Sequence, residues 1–219
     1  MHFTLTDYFE YENKFYLAAP ATRIAKFIAQ MDLFRKVAHV PGDIVECGVY
    51  KGASLSRFIK FREILENSSS KKIIAFDAFG KFPKTNYNLG KIERKNFIKE
   101  ASSDKSVSLR EYIKLLKSQN LYNNIELIKG DVHRTLKKYK NKNPHLRLSL
   151  LHVDVDLYES TKIYLEELFP LVMRGGIVIL DDYNKFAGAS KAIDDFFKTM
   201  KLQIKKFPYC GSVSFVEVG

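Results

Sequence analysis

Two pairs of aspartates near the middle of the chain have the type and spacing to do chemistry. Asp154 and Asp156 follow the apolar run 148–153, and Asp181 and Asp182 follow a second, shorter apolar run. Apolar runs of this length, separated by a helical stretch, are typical of parallel strands that are buried on both faces. In such a sheet the ligand binds outside the carboxyl ends of the strands. The sequence therefore predicts four carboxylates at the place where a ligand should bind.

Four neighbouring carboxylates repel one another, so either some of them take up protons or a cation lies among them. No His or Cys is expected in the cluster, and a set of oxygen ligands suits a hard cation such as Mg²⁺, Ca²⁺ or Mn²⁺ better than zinc. The alternative is that these aspartates only cap helices and turns, because Asp is a good N-cap residue. Acidic ends on two adjacent strands favour a functional cluster.

A glycine turn links the first predicted strand, residues 44–47, to a helix predicted over residues 54–65. Gly48 and Gly52 lie in this turn, and the acidic Glu46 precedes it. A strand, a glycine turn and a helix N-terminus together make a site for a polar or anionic ligand group. The spacing lacks the G-x-G-x-x-G of a dinucleotide fingerprint, which disfavours a nicotinamide dehydrogenase. A tight structural turn stays an alternative.

Acids also end the next two predicted strands. Asp77 follows the strand at residues 72–76 and is placed to bind the two ribose hydroxyls of an adenosine, although it could instead be an N-cap. Asp131 follows the strand at residues 125–128. His133 is a candidate proton carrier or substrate contact, but a lone His more often caps a helix or lies on the surface. The glycine turn and the second-strand acid together favour a nucleoside-type cofactor.

The remaining segments complete an alternating α/β pattern. Further helices are predicted at residues 22–39, 107–120, 134–142 and 191–200, and two last strands at residues 203–207 and 213–218. The short join between these strands makes them antiparallel. Residues 80–106 are polar, basic and weakly periodic, which is typical of a lid or binding loop. The predicted fold class is α/β, with a mostly parallel sheet of seven strands, a C-terminal antiparallel hairpin and helices on both faces.

Length and composition indicate one soluble domain. The chain has 219 residues, of which 46% are hydrophobic and 28% charged. We expect residues 1–40 to form an N-terminal arm and a helix that pack on a domain spanning residues 41–219. No apolar run approaches the roughly 20 residues that cross a bilayer, and no signal-peptide pattern is present. Cys47 and Cys210 lack metal-ligand spacing, so a reducing, cytoplasmic setting is expected.

The net charge of +11 and the aromatic N-terminus bear on partners. Lysines spread over a surface usually aid solubility. The alternative is that they bind an anionic substrate, a glycan or a nucleic acid. No basic helix with interleaved aromatics forms one stripe, so nucleic acid is not the expected partner. The aromatics of residues 1–20 could pack on the domain, cover a site or contact another subunit, which leaves a homo-oligomer open.

Five segments resemble the macrocin O-methyltransferase family, which belongs to the class I S-adenosylmethionine-dependent methyltransferases. They are PGDIVECGVYKGAS, FDAFGKFP, GDVHRTL, DVDLYEST and GGIVILDDY. The resemblance covers about residues 22–197 and implies a Rossmann-like sheet with S-adenosylmethionine as cofactor. It also implies a divalent cation, usually Mg²⁺, and a small-molecule or glycan acceptor whose sugar or phenol hydroxyl is methylated.

The resemblance assigns roles to individual residues. The methionine end of the cofactor is expected at the glycine turn, the ribose at Asp77 and the adenine near Asp131. The full set of predicted cofactor-binding residues is Glu46, Gly48, Gly52, Ser54, Asp77, Ala78, Phe79, Asp131, Val132 and Asp154. The predicted metal ligands are Asp154, Asp181 and Asp182. The predicted catalytic residues are Asp156, as general base, and His133.

Two other functions remain as alternatives. A nucleic-acid methyltransferase would use the same cofactor, but amino-directed members typically carry Asn/Asp-Pro-Pro-Tyr after the fourth strand, where this chain has DVDLY. A non-catalytic module could hold a metal or a nucleoside with the same acids.

Overall fold

A computed structural model describes residues 4–101 and 103–219. The strands are β1 (Asp43–Cys47), β2 (Ile73–Asp77), β3 (Ile125–Lys129), β4 (Leu148–Val153), β5 (Val172–Leu180), β6 (Lys205–Lys206) and β7 (Ser214–Glu217). The helices are α1 (Leu5–Ala18), α2 (Ala21–Lys36), α3 (Ala53–Leu65), α4 (Asn88–Glu100), α5 (Leu109–Ser118), α6 (Val132–Lys142), α7 (Tyr158–Leu168) and α8 (Ala187–Phe197). A 3-10 turn, Phe169–Leu171, follows α7.

The seven strands form one sheet in the order β3-β2-β1-β4-β5-β7-β6. The first five pair in parallel, and β7 pairs antiparallel with both β5 and β6. The predicted fold class is therefore confirmed. Because β1 and β4 are neighbours and the chain winds outward from them in both directions, their carboxyl ends flank the crevice where ligands bind in such sheets.

Helices cover both faces of the sheet, which explains why the central strands are apolar without alternation. On one face α2, α3 and α5 pack on residues such as Ile44 and Leu150. On the other face α6, α7 and α8 pack on residues such as Val45 and Leu151. Successive strand residues thus enter opposite core layers, and the sheet is held from both sides. None of the helices in the described ranges is long and apolar enough to cross a membrane.

Two helices lie where the sequence predicts no regular structure. Thr4 and Asp7 form a capping box that begins α1, yet this helix buries none of its residues. Helix α4 lies within the predicted lid or loop and buries only Gly90. Its Glu93 accepts a hydrogen bond from the amide of Ala187, at the start of α8, at 2.6 Å. A helix without a buried face has no apolar periodicity, so the sequence pattern could not reveal either one.

Gly48 lets the ends of β1 and β4 lie in contact. The amide of Asp154 donates to the carbonyl of Cys47 at 2.9 Å. Gly48 itself has a φ of 92°, and a Cβ added there would lie 1.8 Å from the carbonyl oxygen of Asp154. A side chain at this position would force the two strand ends apart.

Gly48→Ala is expected to lower the free energy of unfolding by at least about 2 kcal/mol, because backbone strain and a steric clash add together. For a chain of this length the melting temperature should fall by roughly 4–8 °C, as measured by thermal unfolding. Gly211→Ala is the matched control, since no atom lies within 4 Å of a Cβ added there. Equal melting temperatures for the two variants would contradict the close approach.

Candidate active site

A cavity of about 1040 Å³ opens at the carboxyl ends of the parallel strands. Most of the residues predicted from the sequence line it: Gly48, Ser54, Asp77, Ala78, Asp131, Val132, His133, Asp154, Asp156, Asp181 and Asp182. The four aspartates that follow β4 and β5 therefore line one cavity, and the glycine turn lines the same cavity.

Three predicted cofactor-binding residues do not lie on the cavity wall. Glu46 is 0% exposed and its carboxylate accepts a hydrogen bond from Ser54 Oγ at 2.6 Å. Gly52 lies against the ring of Tyr112, and Phe79 is part of the hydrophobic core under α3 and α5. These residues support the wall from behind, because their side chains or backbone are covered by neighbouring packing. Direct contact of the three with a cofactor stays a prediction.

Asp77 organises the glycine turn. Its Oδ2 accepts hydrogen bonds from the amides of Val49 at 2.8 Å and Tyr50 at 3.0 Å. Its Oδ1 accepts from Ser106 Oγ at 2.8 Å, which ties the loop after α4 to the same carboxylate. The carboxylate predicted to bind ribose hydroxyls thus also fixes the shape of the glycine turn. Its ribose contact stays a prediction.

Asp131 and His133 lie on the outer part of the cavity. Asp131 is the N-cap of α6, and its Oδ1 accepts a hydrogen bond from the amide of His133 at 2.9 Å. His133 is exposed. Asp131 therefore caps a helix as well as lying on the cavity wall.

The carboxylates form two overlapping groups whose ligand atoms lie within 4.8 Å of one another. Among the described residues, one group is His152, Asp154 and Asp181, and the other is Asp154, Asp156 and Asp182. Asp154 belongs to both. The predicted metal ligands are thus divided between the two groups and joined through Asp154.

Backbone geometry brings Asp156 into the cluster. β4 ends at Val153, and Asp156 has a φ of 60°, so the extended geometry of the strand does not continue through Asp154 and Asp156. Asp182 Oδ2 instead accepts hydrogen bonds from the amides of Val155 at 3.0 Å and Asp156 at 2.8 Å. Burial and the charge of Asp154 raise the pKa of Asp156 to about 7.

Lys26 brings a positive charge into the cluster from α2. Its ammonium lies 2.6 Å from Asp181 Oδ2 and 3.9 Å from Asp154 Oδ2. Burial disfavours the charged form of Lys26, but the two carboxylates outweigh burial and raise its pKa. In the same way, the charges of Lys26, His152 and Lys185 outweigh burial and hold the pKa of Asp181 well below its usual range.

His152 corrects the expectation that the cluster contains no histidine. It is 0% exposed, with Nε2 at 3.6 Å from Asp181 Oδ1 and Nδ1 at 3.8 Å from Glu46 Oε2. Burial lowers the pKa of His152, but the two carboxylates outweigh burial and raise it to about 10. The signal was present in the sequence, because His152, Asp154 and Asp156 follow each other at every second position. It was missed because His152 lies inside an otherwise apolar run.

The surroundings disfavour the ionised forms of the remaining two acids, Asp154 and Asp182. Burial and the charge of Asp181 raise the pKa of Asp154, and burial and the charge of Asp156 raise the pKa of Asp182. Asp181 Oδ1 is buried and has no hydrogen-bond partner among the described residues. Such a set of oxygens attracts either protons or a cation.

Comparison with known proteins places the chain in a family. A family model described as Macrocin-O-methyltransferase (TylF) matches residues 21–207. The 8-demethyl-8-(2,3-dimethoxy-alpha-L-rhamnosyl)-tetracenomycin-C 4'-O-methyltransferase of Streptomyces olivaceus is 30% identical over 145 residues, which are 66% of this chain and 54% of that protein. The demethyldecarbamoylnovobiocin O-methyltransferase of Streptomyces niveus is 30% identical over 161 residues, which are 72% of this chain and 59% of that protein.

The fold agrees with a solved structure. The crystal structure of CalS11, a calicheamicin methyltransferase, matches with a TM-score of 0.81 and 24% identity, over 99% of this chain and 87% of that one. The matched segments span 54% and 59% of the two curated relatives. Because the family model covers most of the sequence and two relatives are 30% identical, the chain belongs to the macrocin O-methyltransferase (TylF) family.

Proposed function

We propose that this protein transfers a methyl group from S-adenosylmethionine to a hydroxyl of a sugar or sugar-bearing natural product, with a divalent cation at the acidic cluster. The observation that carries the proposal is the meeting of four aspartates and the glycine turn in one cavity. The family relatives support the reaction class, since both are named O-methyltransferases. One of them is named for a rhamnosyl acceptor, which supports a sugar hydroxyl as the methylated group.

The cavity suits a nucleoside cofactor at one end and an acceptor at the other. Its volume of about 1040 Å³ is at the upper end of the usual range for small-molecule sites. The loop fixed by Asp77, together with Gly48 and the start of α3, offers a close backbone approach for the cofactor. The acidic cluster lies beside this loop, so the acceptor hydroxyl belongs there.

The residues of the cluster have separate tasks in the proposed reaction. S-adenosylmethionine supplies a methyl group on a sulfonium, and the acceptor oxygen forms a bond to that carbon while the carbon–sulfur bond breaks. Asp156 accepts the hydroxyl proton, because its pKa, raised to about 7, lets it take up a proton near neutral pH. The rigid loop and strand ends hold the two reactants in line, which removes much of the entropic barrier.

The acids present fit a hard divalent cation. The buried Asp181 Oδ1 has no hydrogen-bond partner in the described chain, and the Lys26 ammonium shows that this place stabilises positive charge. Asp154, which belongs to both groups of ligands, would hold the cation together with Asp181 from one group and Asp182 from the other, all through oxygen atoms. Bound there, Mg²⁺ would make a chelated hydroxyl more acidic and fix its direction.

Binding and transfer test the proposed function directly. Wild-type protein is expected to bind S-adenosylhomocysteine in a calorimetric titration. With labelled S-adenosylmethionine, Mg²⁺ and a panel of rhamnosides, label should appear in a sugar methyl ether. Absence of any S-adenosylhomocysteine binding would overturn the proposal, and label in RNA but in no sugar would favour a nucleic-acid methyltransferase.

Asp156→Asn is expected to lower kcat by roughly 10²–10⁴-fold, because the variant cannot accept the hydroxyl proton. Its affinity for S-adenosylhomocysteine should stay within about twofold of the wild type, since the proposed role of Asp156 is toward the acceptor. Asp195→Asn is the matched control, because Asp195 lies on the exposed side of α8 and pairs with Lys191. Full turnover by Asp156→Asn would exclude Asp156 as the base.

Removal of divalent cations by EDTA is expected to abolish most of the turnover, and added Mg²⁺ should restore it. Asp181→Asn should require a higher Mg²⁺ concentration for half-maximal activity, because one ligand loses its charge. Turnover that is indifferent to EDTA would contradict the metal site. In that case, loss of activity in the EDTA-treated Lys26→Gln variant would show that the Lys26 ammonium, and not a divalent cation, supplies the positive charge that the reaction needs.

A further inference from the structure

A pair of arginines on the cavity wall lacks a carboxylate partner. Arg23 lies on α2 and Arg57 lies on α3, and both line the same cavity as the acidic cluster. Within the described ranges, neither guanidinium forms a salt bridge with an Asp or Glu. The four aspartates beside them thus do not neutralise this pair by direct contact.

A neutral side chain holds Arg57 in place. Its Nη1 donates a hydrogen bond to Gln30 Oε1 at 2.8 Å, and Gln30 is 0% exposed. Arg23, Lys26 and Gln30 follow one another at spacings of three and four residues, so they share one face of α2. That face meets the start of α3 next to the cavity. The amide of Gln30 orients the guanidinium but brings no negative charge.

The electrostatics of this corner favour an anion. Burial and the neighbouring charge of Arg23 lower the pKa of Arg57, while Asp181, Glu46 and Asp154 act in the opposite direction. Of these acids, Asp181 is already paired with Lys26, and Glu46 is enclosed with Ser54 and His152. Arg57 is half-buried, and a guanidinium in such a place with a second positive charge nearby is unfavourable unless a group of opposite charge joins it.

We propose that Arg23 and Arg57 form a subsite for an oxyanion, a carboxylate or phosphate group, on a molecule bound in the cavity. The planar fork of a guanidinium matches both groups with paired hydrogen bonds. This inference rests on the proposed function, and it has two sources for the anion: the methionine carboxylate of the cofactor, or a charged group on the acceptor. Either source makes the arginines determinants of what the cavity accepts.

Matched ligands separate the two sources. S-adenosylhomocysteine carries the methionine carboxylate, whereas 5'-methylthioadenosine lacks the whole amino-acid part. If the anion is the cofactor's, Arg57→Gln and Arg23→Gln should weaken S-adenosylhomocysteine binding by about 10–100-fold in calorimetric titrations, the range for a charge-assisted hydrogen bond. Binding of 5'-methylthioadenosine should then stay within about twofold of the wild type.

If the anion belongs to the acceptor, both variants should bind S-adenosylhomocysteine normally. Inorganic pyrophosphate, titrated into the protein saturated with S-adenosylhomocysteine, should then bind the wild type and bind the variants at least about tenfold more weakly. Arg57→Lys, which keeps the charge but loses the fork, should fall between the wild type and Arg57→Gln. Lys60→Gln removes the same charge from the exposed side of α3 and should behave as the wild type in every titration.

If both arginine variants bind S-adenosylhomocysteine and pyrophosphate as tightly as the wild type does, the proposed subsite is wrong. This holds whether or not the protein is a methyltransferase. If the wild type binds neither S-adenosylhomocysteine nor 5'-methylthioadenosine, the proposed function is contradicted. The pyrophosphate titration, repeated without added nucleoside, would still test the arginines. Arg23 is exposed, so Arg23→Gln should fold normally and keeps the test valid if Arg57→Gln is unstable.

Discussion

The site depends on compensation of buried negative charge. The carboxyl ends of β4 and β5 bring four aspartates to one crevice, where burial alone would favour their protonated forms. Lys26, His152 and Lys185 supply the positive charges that keep Asp181 ionised. Without these charges, burial would raise the pKa of Asp181 and favour its neutral form.

This compensation comes from parts of the chain that are far apart. Lys26 lies on α2 and reaches Asp181 across 155 positions of sequence. Its position is fixed by the apolar face of the same helix, where Leu33 and Phe34 are fully buried against the core. Packing of α2 on the sheet and electrostatic balance in the crevice are therefore coupled. The helix that the sequence presents as an attachment to the domain is part of the site.

Much of this could be predicted from the sequence, for a physical reason. β4 is buried on both faces, so its apolar run has sharp ends, and the observed bounds equal the predicted ones. The acids that follow such strands must lie at the ligand edge of a parallel sheet. Prediction failed where the driving force is not apolar burial: α1 and α4 bury almost nothing, and His152 is a charged side chain hidden in an apolar strand.

Asp156 lies beside Asp154 as the sequence pattern predicts, but not because both residues belong to an extended strand. Alternation along an extended strand predicts Asp154 and Asp156 on one side, but the strand stops at Val153 and the chain turns through a positive φ at Asp156. The two amides before and at that turn bind Asp182, so the acid of β5 holds the loop after β4 in shape. Asp182, which is proposed to bind a cation, thereby also orients Asp156, the proposed base. A change in the position of either β4 or β5 would therefore disturb both the cation site and the base.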